Sequence, residues 1–181
     1  MNFCSHCGHK LTVAIPAGDD RSRFVCPHCE MIHYQNPKLV VGCIPEWQGT
    51  ILLCKRNIEP RLGFWTLPAG YLENGESARD GAIRETYEEA CARVTGLKAY
   101  FLADLIPINQ LYLMFRCRLV RPEFTSTAES MEVRLFSEAE IPWDHIAFPV
   151  IHAVLKSFLN DRARGSFPFR NEQLTERMHS D

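Results

Sequence analysis

The sequence predicts an α/β protein, an α/β/α sandwich around a mixed sheet, with a small cysteine-rich unit ahead of it. Runs of Val, Ile and Leu predict buried strands on both sides of one helical segment, and a later apolar stripe at helical spacing predicts a closing helix. Two Cys-x-x-Cys pairs predict the separate unit. We therefore expect a small domain at 1–37, the α/β domain at 38–161 and a loosely held, charged C-terminal tail at 162–181.

The composition excludes several classes of protein. The formal net charge of −2 provides no broad basic surface, so nucleic acid is an unlikely partner on electrostatic grounds. No apolar run reaches the ~20 residues that span a bilayer, and the N-terminus lacks the basic flank and apolar run of a signal peptide. We expect a cytoplasmic protein that does not bind membranes.

The N-terminal unit has the ligand spacing of a tetrahedral metal site. Its four cysteines are Cys4, Cys7, Cys26 and Cys29. Paired Cys-x-x-Cys units at this separation predict a structural Zn²⁺ in a zinc ribbon, with a rubredoxin-like iron and a redox dithiol as alternatives. Four sulfurs complete a tetrahedron, so the nearby histidines are not assigned as ligands. They are His6, His9, His28 and His33.

The α/β domain is expected to begin with a hairpin of buried strands. Residues 39–44 and 50–54 are the apolar runs, and the turn-prone segment 46–49 separates them. Arg56 follows the second strand and is either a solvated charge or a phosphate contact, since a guanidinium binds phosphate oxygens bidentately. Trp65 either packs beneath the next loop or helps to position a substrate.

A loop followed by a helix is the most informative stretch. Ser77 is the expected N-cap, and we expect the helix to run on to a left-handed cap at Gly96. At about 100° per residue the helix has an apolar face, expected to pack, and an opposite acidic face. The apolar face consists of Ile83, Tyr87, Ala90 and Val94, and the acidic face of Glu85, Glu88 and Glu89.

Two explanations are available for the acidic face. Like charges at these spacings repel by about 0.2–0.5 kcal/mol per pair, so a compensating charge is expected. Arg84 can pair with Glu88, and Arg93 with Glu89, as ordinary surface ion pairs. Alternatively the three carboxylates bind a hard divalent cation, Mg²⁺ or Mn²⁺, which takes oxygen ligands and is usually shared with substrate phosphates.

The later elements complete the predicted sandwich. Residues 100–105 and 111–120 are expected strands, and 125–136 is a polar loop that leads into a strand. The closing helix has Pro149 near its first turn. Its apolar stripe consists of Ile151, Val154, Leu155, Phe158 and Leu159.

The spacing of the loop and helix resembles the Nudix box, so the chain resembles a Nudix hydrolase. The matching residues are Gly70, Glu76, Arg84, Glu85, Glu88 and Glu89. The resemblance implies that Glu85, Glu88 and Glu89 bind divalent ions, that Gly70 contributes a backbone carbonyl, and that Glu76 braces Arg84. Thr86, Ala92 and Cys91 depart from the family pattern at positions that pack or turn the backbone and do not bind metal.

The resemblance also implies a reaction, the hydrolysis of a nucleoside diphosphate linked to a further group X. Nudix enzymes often recruit another acid from a later loop, for which Glu129 is the first candidate and Glu132 the second. Glu88, Glu89 or Glu129 could act as the general base. The sequence does not determine the oligomeric state, although related ADP-ribose enzymes often form dimers, which makes a homodimer one possibility.

The choice of substrate follows from a narrower resemblance. A zinc ribbon ahead of a Nudix box occurs in NADH pyrophosphatases and in a branch that resembles plant FAD and ADP-ribose pyrophosphatases. Residues 65–72 are most similar to the latter branch, and 98–118 lack the Pro- and aromatic-rich motif of the former. ADP-ribose or FAD is therefore the expected substrate. The alternatives are NADH or an oxidised nucleotide, and a non-catalytic protein that senses a ligand or binds a partner through its ribbon.

Overall fold

In the computed structural model, which describes residues 1–175, the chain divides into an N-terminal unit, Met1–Pro37, and a larger unit from Lys38 onward. The N-terminal unit contains a small antiparallel sheet in the order β1-β2-β3. Its strands are β1 (Thr12–Ala14), β2 (Arg23–Val25) and β3 (Ile32–His33). Only a few side chains are buried here, chiefly Leu11 and two of the cysteines, so the unit has little apolar core of its own.

The larger unit alternates strands with two α-helices in its described part. The strands are β4 (Lys38–Trp47), β5 (Thr50–Arg56), β6 (Trp65–Thr66), β7 (Ala69–Tyr71), β8 (Val94–Leu105), β9 (Gln110–Leu119), β10 (Ser130–Phe136) and β11 (Arg170–Gln173). The α-helices are α1 (Ala78–Ala90) and α2 (Pro149–Arg164), and short 3₁₀ helices cover Ile106–Ile108, Glu138–Glu140 and Trp143–His145. No helix in residues 1–175 is long and apolar enough to cross a membrane.

Within residues 38–175 these strands form one mixed sheet of eight strands, as predicted. The order is β10-β5-β4-β9-β8-β11, with β6 paired to β5 and β7 paired to β4. The β4–β9 and β8–β11 pairs are parallel, and the others are antiparallel. The helices cover opposite faces of the sheet. The face under α2 includes Ile44, Tyr100, Met114, Leu155 and Phe158, and the face under α1 includes Val41, Cys43, Ala82 and Phe115.

The predicted β4–β5 hairpin opens after its first pairs. Glu46 pairs with Ile51 and Trp47 with Thr50 around a turn in which Gln48 and Gly49 both have positive φ. Further from the turn, β5 pairs with β6 and β4 pairs with β7. Residues 65–71, which follow β5 in the chain, therefore lie in the gap between β4 and β5, and this positions Gly70 beside Val41 of β4.

The C-terminal boundary predicted at residue 162 needs correction. Helix α2 continues to Arg164, where Gly165 caps it in the left-handed region, and β11 then joins the sheet edge parallel to β8. Arg170 binds the buried Asp161 at 2.6 Å, and the Tyr100 hydroxyl donates to the same carboxylate at 2.7 Å. This ion pair fastens residues 170–173 to the domain. The rest of the predicted tail, 176–181, lies outside the described residues.

The predicted end of helix α1 was also wrong. The helix ends at Ala90, and Cys91 itself adopts the left-handed conformation, with φ +50° and its N–H bonded to the Tyr87 carbonyl at 2.7 Å. Gly96 does have a positive φ, but it lies in β8, where the pairing with β9 shifts register. The chain therefore turns into its next strand five residues earlier than a glycine cap would require.

Candidate active site and cysteine cluster

The four N-terminal cysteines converge on one point. Their Sγ atoms lie within 4.8 Å of one another. The closest pairs across the two motifs are Cys4–Cys29 at 3.7 Å and Cys7–Cys26 at 3.4 Å. Backbone hydrogen bonds, chiefly from Cys29, lower the pKa of the Cys26 thiol to about 6, whereas burial and the neighbouring sulfur atoms raise the pKa of the Cys7 thiol to about 12. The arrangement fits a tetrahedral thiolate site.

The sequence analysis did not anticipate a histidine pair beside this cluster. The rings of His9 and His28 stack with centroids 3.7 Å apart, and their nitrogens lie near the Cys7 sulfur. His33 Nε2 lies 3.3 Å from the Cys4 sulfur. The Cys4 and Cys7 sulfur atoms therefore have imidazole rings beside them, where the polar partners of bound thiolates usually lie.

Helix α1 begins where the sequence predicts. Ser77 Oγ accepts a hydrogen bond from the Asp80 amide at 3.2 Å, which is the expected N-cap. Small residues then allow the helix to approach the sheet closely. A Cβ at Gly81 would lie 2.8 Å from Glu76 Oε1, 2.9 Å from a Leu72 methyl group and 3.0 Å from a Val41 methyl group, so a larger residue here would force these side chains to shift.

The packing face of α1 is only partly the predicted one, because Ala90 is buried and Ile83 and Val94 pack against the core, whereas Tyr87 does not. Glu85 and Glu89 are only 8% and 6% exposed, whereas Tyr87, expected to pack, is 50% exposed. The helix turns Ala82, Thr86 and the two carboxylates toward the sheet instead. The apolar pattern did not identify this face. Gly81 and Ala82 contribute little to such a pattern, but their small size allows the helix to approach the sheet closely.

Arg84 is the hub of an ion-pair network. Its guanidinium binds Glu76 at 2.8 Å, Glu85 at 2.7 Å and Glu88 at 2.8 Å, and it donates to the Tyr71 carbonyl at 3.1 Å. The Arg84 hydrogen bonds lower the pKa of Glu76 to about 2. The predicted Arg84–Glu88 pair is therefore present, but Arg84 also joins the helix to the loop that precedes it.

Glu89 is the most perturbed carboxyl group near this network. Burial, followed by the negative charge of Glu85, raises its pKa to about 8. Its Oε2 is buried and has no hydrogen-bond partner among the described residues. Burial also raises the pKa of Glu85, although Arg84 acts in the opposite direction. Glu85 and Glu89 are thus neighbouring buried carboxyl groups whose negative charge is only partly balanced by Arg84. Such a pair indicates a site for a cationic ligand.

Gly70 completes this cluster from the opposite side. It pairs in register with Val41 of β4, and a Cβ at this position would overlap the Glu85 carboxyl group. The Gly70 backbone and the Glu85 side chain are therefore in close contact. The segment that passes between β4 and β5 produces this contact.

These groups line one open cleft of about 480 Å³. Of the predicted site residues, it contains Arg56, Gly70, Arg84, Glu85, Glu88, Glu89 and Glu129. The backbone of Glu129 is held by the Asn57 amide, which donates to its carbonyl at 2.8 Å, and its charge raises the pKa of Glu85 and Glu89. Glu132, the second candidate acid, instead pairs with Lys55 at 3.6 Å and does not line the cleft.

The two predicted substrate contacts differ in position. The Arg56 guanidinium stacks on Phe148, with 5.1 Å from its carbon to the ring centroid, donates to the Pro60 carbonyl and faces the cleft. Trp65 is 8% exposed and packs edge-on against Phe136 at 4.7 Å, so it belongs to the core and the substrate role suggested for it is corrected. Sequence analysis did not identify the aromatic walls of the cleft. They are Tyr71, Tyr112 and Phe148.

Comparisons with known proteins agree with this architecture. The Nudix N-terminal zinc-ribbon family matches residues 2–35, and the NUDIX domain family matches residues 36–154. A Nudix hydrolase from Nitrosomonas europaea superposes with a TM-score of 0.93 at 50% identity, covering 97% of this chain and all of that one. The chain therefore belongs to the Nudix family of hydrolases, with a zinc-ribbon domain ahead of the catalytic fold.

More distant relatives have more specific names. A protein of Edwardsiella ictaluri named NAD-capped RNA hydrolase NudC is 33% identical over 98 residues, an alignment that covers 53% of this chain and 35% of that protein. The match thus spans about a third of the length of that relative. An ADP-ribose pyrophosphatase from Streptococcus suis superposes with a TM-score of 0.57 at 23% identity, covering 77% of this chain and all of that one, a likeness of fold alone.

Proposed function

We propose that the protein is a pyrophosphohydrolase that depends on Mg²⁺ or Mn²⁺ and cleaves a nucleoside diphosphate linked to a group X. Water attacks the diphosphate and two phosphate-bearing products leave. The main support is Glu89, whose buried Oε2 has no hydrogen-bond partner in the described residues and which lies beside Glu85 in an open cleft. A buried carboxylate without a partner is costly unless it takes up a proton, as its raised pKa allows, or a cation compensates its charge, and the adjacent Glu85 and Glu88 favour the cation.

The residues present fit such a cation. Glu85, Glu88 and Glu89 offer carboxylate oxygens, and Gly70 offers a backbone carbonyl on the facing segment. Hard oxygen donors of this kind suit Mg²⁺ and Mn²⁺. When bound, the cation supplies Lewis acidity and neutralises negative charge on the diphosphate.

The protein's own side chains have separable roles in this proposal. Arg84, braced by Glu76, orients Glu85 and Glu88 at the mouth of the cleft. Arg56 is the proposed phosphate contact, because its guanidinium faces the cleft and is already fixed by Pro60 and Phe148. Glu88, Glu89 and Glu129 are the candidates for the general base that accepts the proton of the attacking water.

ADP-ribose and FAD remain the favoured substrates on the resemblance of residues 65–72 to that branch. The relatives named NAD-capped RNA hydrolase favour a second candidate, an NAD-type dinucleotide. All of these contain an adenosine unit joined through a diphosphate to X, so cleavage of the diphosphate releases AMP and the phosphate of X from each of them. The non-catalytic alternative is disfavoured, because Glu76, Arg84, Glu85, Glu88 and Glu89 are all retained and adjoin the same cleft.

The N-terminal unit has a structural role in this proposal. Cys4, Cys7, Cys26 and Cys29 would hold Zn²⁺, and the metal would supply much of the folding free energy of a unit that has so small a core. A homodimer in solution also remains a proposal, and light scattering would test it.

The test is a substrate panel with product chromatography. The purified protein is incubated with ADP-ribose, FAD and NADH, with Mg²⁺ and with EDTA, and we expect AMP to be released only with the metal. Glu88→Gln should lower kcat by about a thousandfold, equivalent to ~4 kcal/mol. Glu132→Gln is the matched control, because Glu132 lies outside the cleft and should leave activity unchanged. Full activity of Glu88→Gln on every substrate would exclude the proposed metal cluster.

A further inference from the structure

A second cavity, of about 610 Å³, adjoins the cleft at Phe148. The Phe148 side chain lines both spaces. Three segments that are distant in sequence form the other walls, with residues drawn from 61–64, 144–153 and 173–175. The last of these follows from the pairing of β11 with β8, so the cavity depends on the C-terminal strand that sequence analysis assigned to a tail.

One loop also forms a wall of both spaces. Ile58, Glu59 and Pro60 line the cleft, whereas Arg61 and Phe64 line the cavity. The loop is closed by two backbone hydrogen bonds between residues 56 and 63–64, each 2.9 Å long. A ligand with its diphosphate at the carboxylates can therefore extend past Phe148 and remain in contact with the same loop.

The chemistry of the cavity suits a planar ring with polar edges. Phe64 and Phe148 offer aromatic surfaces, although a guanidinium already covers one face of each ring, Arg61 at 5.4 Å from the Phe64 centroid and Arg56 at 5.1 Å from the Phe148 centroid. Ile146 and Leu174 add apolar contacts. Hydrogen-bonding groups complete the lining. They belong to Arg61, Asp144, His152, Gln173 and Thr175. The lining thus combines apolar and polar surface in similar amounts, which suits a ring whose edges form hydrogen bonds.

The cleft has an aromatic wall of its own, away from this cavity. Tyr71 and Tyr112 line it, and Gln110 Nε2 donates to the Tyr71 hydroxyl at 3.0 Å. The carboxylate cluster is thus accompanied by two spaces that can each accept a ring. A substrate with two ring systems uses both, whereas ADP-ribose contains a single base.

We propose that the cavity beyond Phe148 binds the ring system of the X group in a dinucleotide substrate, with Phe64 as its stacking surface. The inference rests on the proposed function and narrows it, because it favours two bases joined through a diphosphate over a sugar-linked nucleotide. Phe64 is then a specificity residue that contacts X and takes no part in bond cleavage.

The test compares FAD and NADH with ADP-ribose in Phe64→Ala. We expect kcat/KM for at least one dinucleotide to fall about tenfold or more, through KM, while kcat/KM for ADP-ribose changes less than about twofold, as for the loss of an apolar contact. Phe169→Ala is the matched control, because Phe169 is exposed and lies outside the cavity lining. Phe169→Ala should leave kcat/KM unchanged for all three substrates.

A second variant guards against a folding defect. Gln173 is exposed at the cavity wall, so Gln173→Trp should fill the space without disturbing the core and should discriminate against dinucleotides in the same way. Equal losses on all substrates, no loss in either variant, or hydrolysis of ADP-ribose alone by the wild type would overturn the inference and leave the proposed function standing. Failure of the wild type to cleave any diphosphate would overturn both.

Discussion

Gly70 and the Glu85 carboxyl group lie so close together that a Cβ on residue 70 would overlap the carboxyl carbon and both oxygens. Neither partner can move freely. Gly70 is held in register with Val41 by β7, and Glu85 is held by the Arg84 guanidinium at 2.7 Å. The Glu85 carboxylate can therefore keep its orientation only because residue 70, on the facing strand β7, has no side chain.

We predict that Gly70→Ala lowers kcat on ADP-ribose by at least about a hundredfold, or ~2.7 kcal/mol, because the new methyl group displaces Glu85. The measurement is the rate of AMP release, with the fold checked by circular dichroism. Glu85→Gln and the double variant complete a cycle. If Gly70 acts through Glu85, the double variant is no worse than the more defective single one. Fully additive losses would indicate an independent role.

The cap of helix α1 offers a prediction about stability. Cys91 adopts φ +50°, a region in which a side chain costs about 1–2 kcal/mol. Cys91→Gly should therefore raise the free energy of unfolding by about 1 kcal/mol, seen as a melting temperature about 2–4 °C higher. Cys91→Ala, which keeps the Cβ at the same φ, should have almost no effect. A stabilisation by alanine equal to that by glycine would mean that loss of the thiol, and not relief of strain, is responsible.

The Glu76–Arg84 pair predicts a pH dependence of stability. Arg84 lowers the pKa of Glu76 from its usual 4.5 to about 2 in the folded protein. A lowered folded-state pKa contributes stability above the unfolded value, and the contribution is lost as pH falls from about 4.5 toward 2. Glu76→Gln should thus melt below the wild type at pH 7, with the difference shrinking through that window. A difference that stays constant with pH would exclude the ionised pair as its source.

The ion pair between Arg170 and Asp161, which holds the C-terminal strand β11, can be tested by replacing Arg170. Arg170→Met leaves Asp161 buried with only the Tyr100 hydroxyl among its described side-chain partners, which should cost about 3 kcal/mol. Hydrogen exchange should quicken first in 170–173, the strand that Arg170 joins to Asp161 of α2. Asn171→Ala, exposed on the same strand, should change neither property. Unaltered protection of β11 in Arg170→Met would show that backbone pairing alone holds the strand.

The sequence predicted features whose causes are local. Ser77 caps α1 because its hydroxyl reaches an amide three residues away, and the β4 and β5 strands form from runs of β-branched and aliphatic residues. The cysteine cluster followed from ligand spacing. Each of these depends on residues within a few positions of one another, or on a pattern that is specific to one chemistry.

Features set by long-range packing were less predictable. The inward turn of Glu85 and Glu89 depends on the close approach of Gly81 to Val41, which apolar periodicity does not express. Trp65 enters the core because β6 pairs with β5. The polar sequence of β11 resembled a tail because residues 170–173 contain no apolar side chain, and the strand's contacts include its backbone pairing with β8 and the Asp161–Arg170 pair.

The most direct test of the account is Mn²⁺ binding, measured by electron paramagnetic resonance on the wild type, Glu89→Gln and Glu132→Gln. The account predicts that the wild type and Glu132→Gln bind Mn²⁺ with the same affinity, and that Glu89→Gln, which lacks the buried carboxylate, binds at least about tenfold more weakly. Equal affinity in Glu89→Gln and the wild type, or no binding by the wild type, would contradict the claim that the acidic face of α1 is a metal site.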